Sequence, residues 1–199
     1  MILAAGLSLV GCNESLGTGA PEKSEKVGNT ESGPLSMTAM AAEATGFTVG
    51  SKVNARTMYV FFDAQCPHCG ALWKAAKPLT SQAKFVWIPV SIINPSSTAQ
   101  CATLLAATDW VAAMDEHETS LLAKQGGIGA AGNLDAQKAS VAKNTELMSS
   151  FGFVFVPTIV GTNAQTGALV RQDGSLSTAE LAKLLGPQVP ASQPASLSN

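Results

Sequence analysis

The sequence predicts an α/β domain, and three observations predict it. A β-rich, mostly apolar run, Thr57 to Phe62, leads into a helical stretch that opens at Cys66-Pro67-His68-Cys69. A second apolar run, Phe85 to Ile93, follows that helix and completes a β–helix–β unit. After an all-helical stretch come two short strands and a capped helix, so the order is β–helix–β, helical insertion, β–β–helix. A length of 199 residues, 46% of them hydrophobic, suffices for one domain with a sizeable core and short appendages. The net charge is −2 and no Lys/Arg cluster stands out, which argues against a nucleic-acid partner. No apolar run approaches the length of a membrane-spanning helix. Four cysteines are too few for a disulfide-dense miniprotein.

The elements follow in chain order. Ile2 to Val10 is apolar and ends in Leu9-Val10-Gly11-Cys12, which is either a fortuitous apolar start or an export signal in one of two forms. One is an ordinary secretory signal. The other resembles the lipobox of bacterial lipoproteins, which implies cleavage before Cys12 and lipidation of that residue, anchoring the chain to a membrane. Both forms place the chain in an oxidising compartment. Residues 13–46 read as a tether: Gly, Ser, Glu, Lys and Thr dominate as far as residue 34, and Leu35 to Thr45 favours a short linker helix. The body, residues 47–186, starts near Phe47. Its first strand is Thr57 to Phe62, and its first helix runs from Pro67 to about Ser81, with Leu72, Trp73, Ala76 and Leu79 at helical spacing. Phe85 to Ile93 is expected as a buried strand that Pro89 bulges. Ala99 to Ala107, Asp109 to Lys124 and Asp135 to Ser150 are helical, with a Gly-rich loop from Gly126 to Asn133. Thr158 to Gly161 and Ala168 to Gln172 form a strand pair turned through Asn163 and Gly167. Ser177 and Glu180 have capping-box spacing ahead of Leu181, Leu184 and Leu185, and Gly186-Pro187 stops that helix. Residues 187–199, rich in Pro, Ser and Ala, read as a disordered tail.

The chemistry lies in Cys66-Pro67-His68-Cys69. A Cys-x-x-Cys directly after a buried strand and opening a helix is a redox arrangement. Cys66 falls at the helix N-terminus, where free amides and the helix dipole favour a thiolate. Pro67 suits the first turn, where its missing N–H costs little. Cys69, one turn on, is placed to close a disulfide with Cys66 and is more shielded, so Cys66 attacks and Cys69 resolves. His68 would add partial positive charge beside the thiolate. Three other chemistries use such a pair. Zinc would need Cys101 and His117 to join the pair, and there is no second Cys-x-x-Cys. Covalent haem would need His after Cys69, and residue 70 is Gly. A purely structural disulfide across so short a loop adds little stability. No metal and no cofactor are expected.

The run from Tyr59 to Trp73, Tyr-Val-Phe-Phe-Asp-Ala-Gln-Cys-Pro-His-Cys-Gly-Ala-Leu-Trp, resembles the active-site region of periplasmic thioredoxin-fold thiol:disulfide interchange proteins of the DsbC and DsbG kind. The resemblance implies a thioredoxin-like fold over residues 47–186, with a helical insertion between the Cys-x-x-Cys helix and a cis-proline strand. It identifies Phe153-Val154-Phe155-Val156-Pro157-Thr158 as the cis-proline loop, whose Val156 backbone would pair with an extended substrate. An edge-strand proline is the alternative reading of Pro157. The Pro67-His68 dipeptide and Val156 match the oxidase DsbA instead. The isomerases of the family carry an N-terminal dimerisation domain, which residues 13–50 are too short and polar to supply, so a monomer is expected. The resemblance thus implies an exported thiol:disulfide oxidoreductase, oxidase-like in direction. Its substrates would be cysteine-containing exported proteins, and a DsbB-like membrane protein would reoxidise it. A reductase or isomerase served by a DsbD-like partner is the alternative, and a tethered peptide-binding module is a third reading.

Thioredoxin and DsbA carry an acidic residue six positions before the first cysteine, on the strand, where a buried carboxylate can assist deprotonation of the second. That position is Val60 here, and Asp63 falls at the strand end, so no buried carboxylate for Cys69 is evident and a water or His68 is left for the task. Cys101 reads as an inert buried thiol, and His117, among Asp115, Glu116 and Glu118, as part of a solvated helix face. Trp73, Trp87 and Trp110 read as core or groove walls.

Overall fold

A computed structural model of the chain describes residues 35–51, 56–163 and 165–186. The expected export signal with Cys12, the tether up to residue 34 and the tail from residue 187 lie outside the described residues.

The strand β2, Thr57–Phe62, organises the sheet. Five of its six residues, Met58 to Phe62, are buried, and because successive side chains point to opposite faces, both faces must be covered. On one side β2 pairs in parallel with β3, Lys84–Pro89, from Thr57 opposite Lys84 to Phe62 opposite Pro89. On the other it pairs antiparallel with β4, Thr158–Thr162. The edges are β1, Phe47–Gly50, antiparallel to β3, and β5, Leu169–Asp173, antiparallel to β4. The order is β1-β3-β2-β4-β5. The sequence reading starts the body at Phe47 without a strand there; four residues are too few for a legible period, and pairing with β3 is what defines β1.

A parallel pair needs a crossover. It is supplied by α2, Pro67–Ala76, and a 3₁₀ turn, Lys77–Leu79. Pro78 lacks the N–H that a continuing α-helix requires, so the α-helix stops short of the expected Ser81. Met58, Val60 and Phe62 face Leu72, Trp73 and Ala76 of α2 and Leu181 of α6, Thr178–Leu185. Edge-to-face aromatic contacts lock this layer: Phe62 to Trp87 at 5.7 Å and Trp73 to Trp87 at 5.1 Å between centroids. Tyr59, Phe61 and Val160 belong to a second cluster with Met40 of α1, Met37–Glu43, and Leu147 and Met148 of α5, Asp135–Ser150. The helix expected as a linker therefore packs on the sheet, with Met40 wholly buried.

Between β3 and β4 lie α3, Pro95–Ala106, α4, Trp110–Leu122, and α5. α3 starts four residues before the expected Ala99, because Asn94 and Ser97 form a capping box ahead of Pro95 at the first turn. Asp109 caps α4. The second strand ends at Pro89 rather than Ile93. After one more sheet bond, from the Val90 N–H to the Phe62 carbonyl, the chain turns outward and leaves Ile92 and Ile93 exposed. The capping box of Ser177 and Glu180 opens α6, and Gly186, at φ 76°, closes it. No helix among the described residues is long and apolar enough to cross a membrane.

Asn144 of α5 ties these layers together. Its carbonyl accepts the Thr45 N–H at 2.9 Å, and its amide donates to the carbonyls of Thr45 and Pro89 at 2.7 and 2.9 Å. The side chain is buried, so Asn144→Ala leaves these backbone groups without partners. Urea denaturation of that variant is expected to show a loss of about 2–3 kcal/mol, with an unchanged m-value.

Candidate active site

The site forms where β2 meets α2. Asp63, the residue after β2, is wholly buried and acts as an acceptor for two loops. One carboxylate oxygen takes the Gln65 N–H at 2.8 Å, and the other takes those of Ile92 and Ile93 at 2.8 and 3.0 Å. Its backbone carbonyl accepts the Cys66 N–H at 3.0 Å. These bonds shape the turn that delivers Cys66 to the N-cap of α2, with Pro67 in the first turn as expected. Gln65 extends the support. It donates to Gln100, whose amide in turn holds the carbonyls of Gly126 and Ile128 at 2.7 and 2.9 Å. The Gly-rich loop is thus latched to the turn before Cys66.

Cys66 and Cys69 are described here as thiols. Cys66 retains 4% exposure and Cys69 none, which makes Cys66 the accessible sulfur. The Val156–Pro157 peptide bond is cis. The Val156 carbonyl lies 3.4 Å from the Cys66 sulfur and accepts its thiol hydrogen. Cys66 is held at about 7, below the usual thiol value. The largest cause is the hydrogen bond from the Cys69 thiol. Burial opposes it, the amides of Cys69 and His68 assist it, and the Asp63 charge works against it. His68 thus helps through its backbone; its side chain is exposed and lines a groove outside, and its ring charge is not among the causes. Burial pushes Cys69 well above the usual thiol range, and the neighbouring Cys66 adds to the effect. That groove, about 440 Å³, is bordered by His68, Phe155, Val156, Asp173, Gly174 and Ser175.

The expected solvated face of α4 is a correction. His117 is wholly buried and Glu118 nearly so. The His117 Nδ1 accepts the Ile128 N–H at 2.9 Å, which leaves the hydrogen on Nε2 to donate to the Ala64 carbonyl at 2.6 Å. Burial lowers its pKa and favours this neutral tautomer. Gly127, at φ 87°, passes so close that a Cβ would strike the imidazole. Glu118 lies against Gly70, the residue after Cys69, in space that a Cβ at residue 70 would fill. Neither of its carboxylate oxygens has a hydrogen-bond partner, and burial raises its pKa to about 8, with the Cys66 charge adding to the shift and Lys74 opposing it. The sequence does contain the signal. Ala113, Met114, His117 and Glu118 lie on one helical stripe, and the charge run masks it.

The zinc alternative does not assemble. Cys101 donates to the Val90 carbonyl at 3.3 Å and both His117 nitrogens are engaged, so neither is free to join Cys66 and Cys69. Cys101 is wholly buried, as its apolar setting predicts, and burial raises its pKa strongly. Trp110, expected in the core or a groove wall, stacks on Phe47 with one side open.

No family model matches the chain. Over 139 residues it is 35% identical to the thiol:disulfide interchange protein DsbG of Pseudomonas aeruginosa, covering 67% of this chain and 52% of that protein. To DsbG of Escherichia coli K12 it is 30% identical over 108 residues, 51% of this chain and 42% of that one. The chain spans about half the length of these relatives. Among solved structures, a periplasmic thioredoxin-like protein from Salmonella enterica serovar Typhimurium superposes with a TM-score of 0.58 at 15% identity, covering 76% of this chain and 96% of that one. The expected thioredoxin-like fold is therefore the fold of this chain, with α3 to α5 as its helical insertion.

The two thiols should separate in a pH series of iodoacetamide alkylation. The thiolate is the reactive form, so Cys66 modification is expected to rise with pH to half its plateau at about 7. In the native chain Cys69 and Cys101 should stay unmodified at pH 8, as read by peptide mass spectrometry. A midpoint near the ordinary thiol value would contradict the geometry.

Proposed function

We propose that this chain is a thiol:disulfide oxidoreductase that exchanges disulfides with cysteine-containing exported proteins. The observation that carries the reading is one accessible thiol at a helix N-terminus, facing the carbonyl of a cis Val156–Pro157 bond, with a buried partner thiol one turn behind. The Cys66 thiolate attacks a substrate disulfide, forming a bond to one substrate sulfur and releasing the other as thiolate. Cys69 then attacks the Cys66 sulfur, closing Cys66–Cys69 and releasing the second substrate sulfur. Run backwards, the same steps oxidise a substrate dithiol. Pro67 fixes the turn that presents Cys66. Val156 offers its backbone to an extended substrate as an added strand, with Pro157 setting the edge. The neighbouring groove, with His68 on its rim and the exposed Phe155 beside it, takes the substrate residues next to the reacting cysteine.

The Pro-His dipeptide suggests an oxidase. We favour the reductase or isomerase direction, in keeping with the 35% identity to DsbG over 139 residues; the setting of Cys66 agrees with it. A strong oxidant needs a strongly stabilised thiolate; DsbA holds its cysteine near 3.5 and thioredoxin near 7. Cys66, at about 7, is on the thioredoxin side. We place the chain in the periplasm, in keeping with its similarity to DsbG and to a periplasmic thioredoxin-like fold. The apolar start and Cys12 support a lipid anchor, and a membrane redox protein of the DsbD or DsbB kind would reset the pair.

Equilibration in glutathione buffers tests both levels. A reversible Cys66–Cys69 disulfide with a potential at or below about −200 mV is expected. A value near about −120 mV would restore the oxidase direction. In cells, Cys69→Ser should accumulate mixed disulfides through Cys66, and Cys66→Ser should accumulate none. Absence of any reversible disulfide would sink the assignment.

A further inference from the structure

Glu118 is 1% exposed, and both of its oxygens lack a hydrogen-bond partner. A buried carboxylate in that state is costly unless it has a use or carries a proton. Its position suggests the use. The carboxyl lies against Gly70, on the turn of α2 that carries Cys69, and a side chain at residue 70 would displace it. Glycine in a helix interior is unfavourable, and φ at Gly70 is not in the left-handed region, so the residue serves space rather than backbone freedom.

Cys69 has no exposed surface, so its thiol cannot hand a proton directly to bulk water. The other titratable groups around it are already committed. The two Asp63 oxygens hold three backbone amides, and both His117 nitrogens are bonded. Asp115, on the same helix, holds Lys77 and the Trp73 indole. The His68 ring lines the outer groove, and Lys74 on α2 is a cation with no lone pair to offer. We infer that Glu118 is the internal proton acceptor for Cys69 when Cys69 closes on the mixed disulfide, and the donor when the pair reopens. This rests on the disulfide-exchange reading above.

The step balances as follows. In closing, the Cys69 thiol passes its proton to the Glu118 carboxylate; its sulfur bonds to the Cys66 sulfur as the bond from Cys66 to the substrate sulfur breaks, and the substrate leaves as thiolate. In reopening, an incoming thiolate bonds to the Cys66 sulfur, the Cys66–Cys69 bond breaks, and the Cys69 sulfur takes the proton from the Glu118 carboxyl. Two electrons move between sulfurs and none reside on Glu118.

The test is reduction of the oxidised 199-residue chain by glutathione across pH 5–9.5, wild type against Glu118→Gln. Donation by Glu118 predicts that the variant is slower by about 100-fold or more at pH 6. The gap should close as pH rises through the Glu118 titration and wild type loses its proton donor. The Cys66 alkylation rate of the reduced variant should stay within about twofold of wild type at pH 7, where Glu118 is already neutral. A second measurement needs no variant. In chain labelled with carboxyl-13C glutamate, one carboxyl should titrate well above the ordinary range when the pair is reduced, and its midpoint should fall on oxidation, because the Cys66 charge disappears. The inference is overturned if Glu118→Gln matches wild type at every pH, if it is slower by the same factor throughout, or if no glutamate titrates high and redox-dependently. If the wild-type disulfide is not reduced by glutathione at all, the exchange reading falls and the inference with it.

Discussion

The Asp63 carboxylate is the constraint on which the site depends. It sits at the C-terminal end of β2, where an α/β sheet opens a crevice, and its two oxygens gather amides from the turn before Cys66 and from the loop after β3. Charge-assisted bonds to backbone amides are stronger than neutral ones. Here they fix two strand exits with one side chain. The His117 bond to Ala64 and the Gln65–Gln100 bridge extend the same frame to α4 and the Gly-rich loop. Cys66 therefore reaches its position through covalent neighbours already held on three sides.

Within that frame two chemically identical thiols become unlike. Cys66 has a thiol donor and two amides directed at its sulfur and keeps an opening to solvent. Cys69, three residues on and wholly buried, faces the layer between α2 and α4, where Glu118 lies. Under the proposed exchange, the division of labour between attack and resolution follows from which side of one helical turn each sulfur occupies. Burial acts on both groups of the inner layer in the same sense, disfavouring charge on Cys69 and on Glu118.

Much of this was legible in the sequence, and what was missed has physical reasons. The order of strands and helices, the capping box at Ser177, the Cys-x-x-Cys helix and the proline loop are local signals, carried by a few adjacent residues. β1 was not legible, because four residues define no period. The end of the second strand is not legible either, because Ile92 and Ile93 look like core while the amides of both are drawn out to Asp63. Least legible of all are His117 and Glu118. A run of four ionisable residues reads as solvent-facing by composition. Its burial is decided by α2, more than forty residues earlier in the chain, whose Gly70 opens the room that Glu118 enters.

The cis-proline loop adds a point about interchange of parts. The Gly174 N–H donates to the Pro157 carbonyl at 2.8 Å, and Thr158 bonds both the Phe155 carbonyl and Asp173, so hydrogen bonds tie this loop to β5. The two parts of the site, which meet where Cys66 bonds the Val156 carbonyl, are thus held by different bonds: an outer part on β5, to which the proposed function assigns the peptide, and an inner part around Asp63 and α4. Exchanging the Pro67-His68 dipeptide alters the surface where they meet and leaves Asp63, His117 and Glu118 untouched. A four-residue cassette moved to another scaffold would carry its sulfurs with it and leave behind the surroundings that make them different.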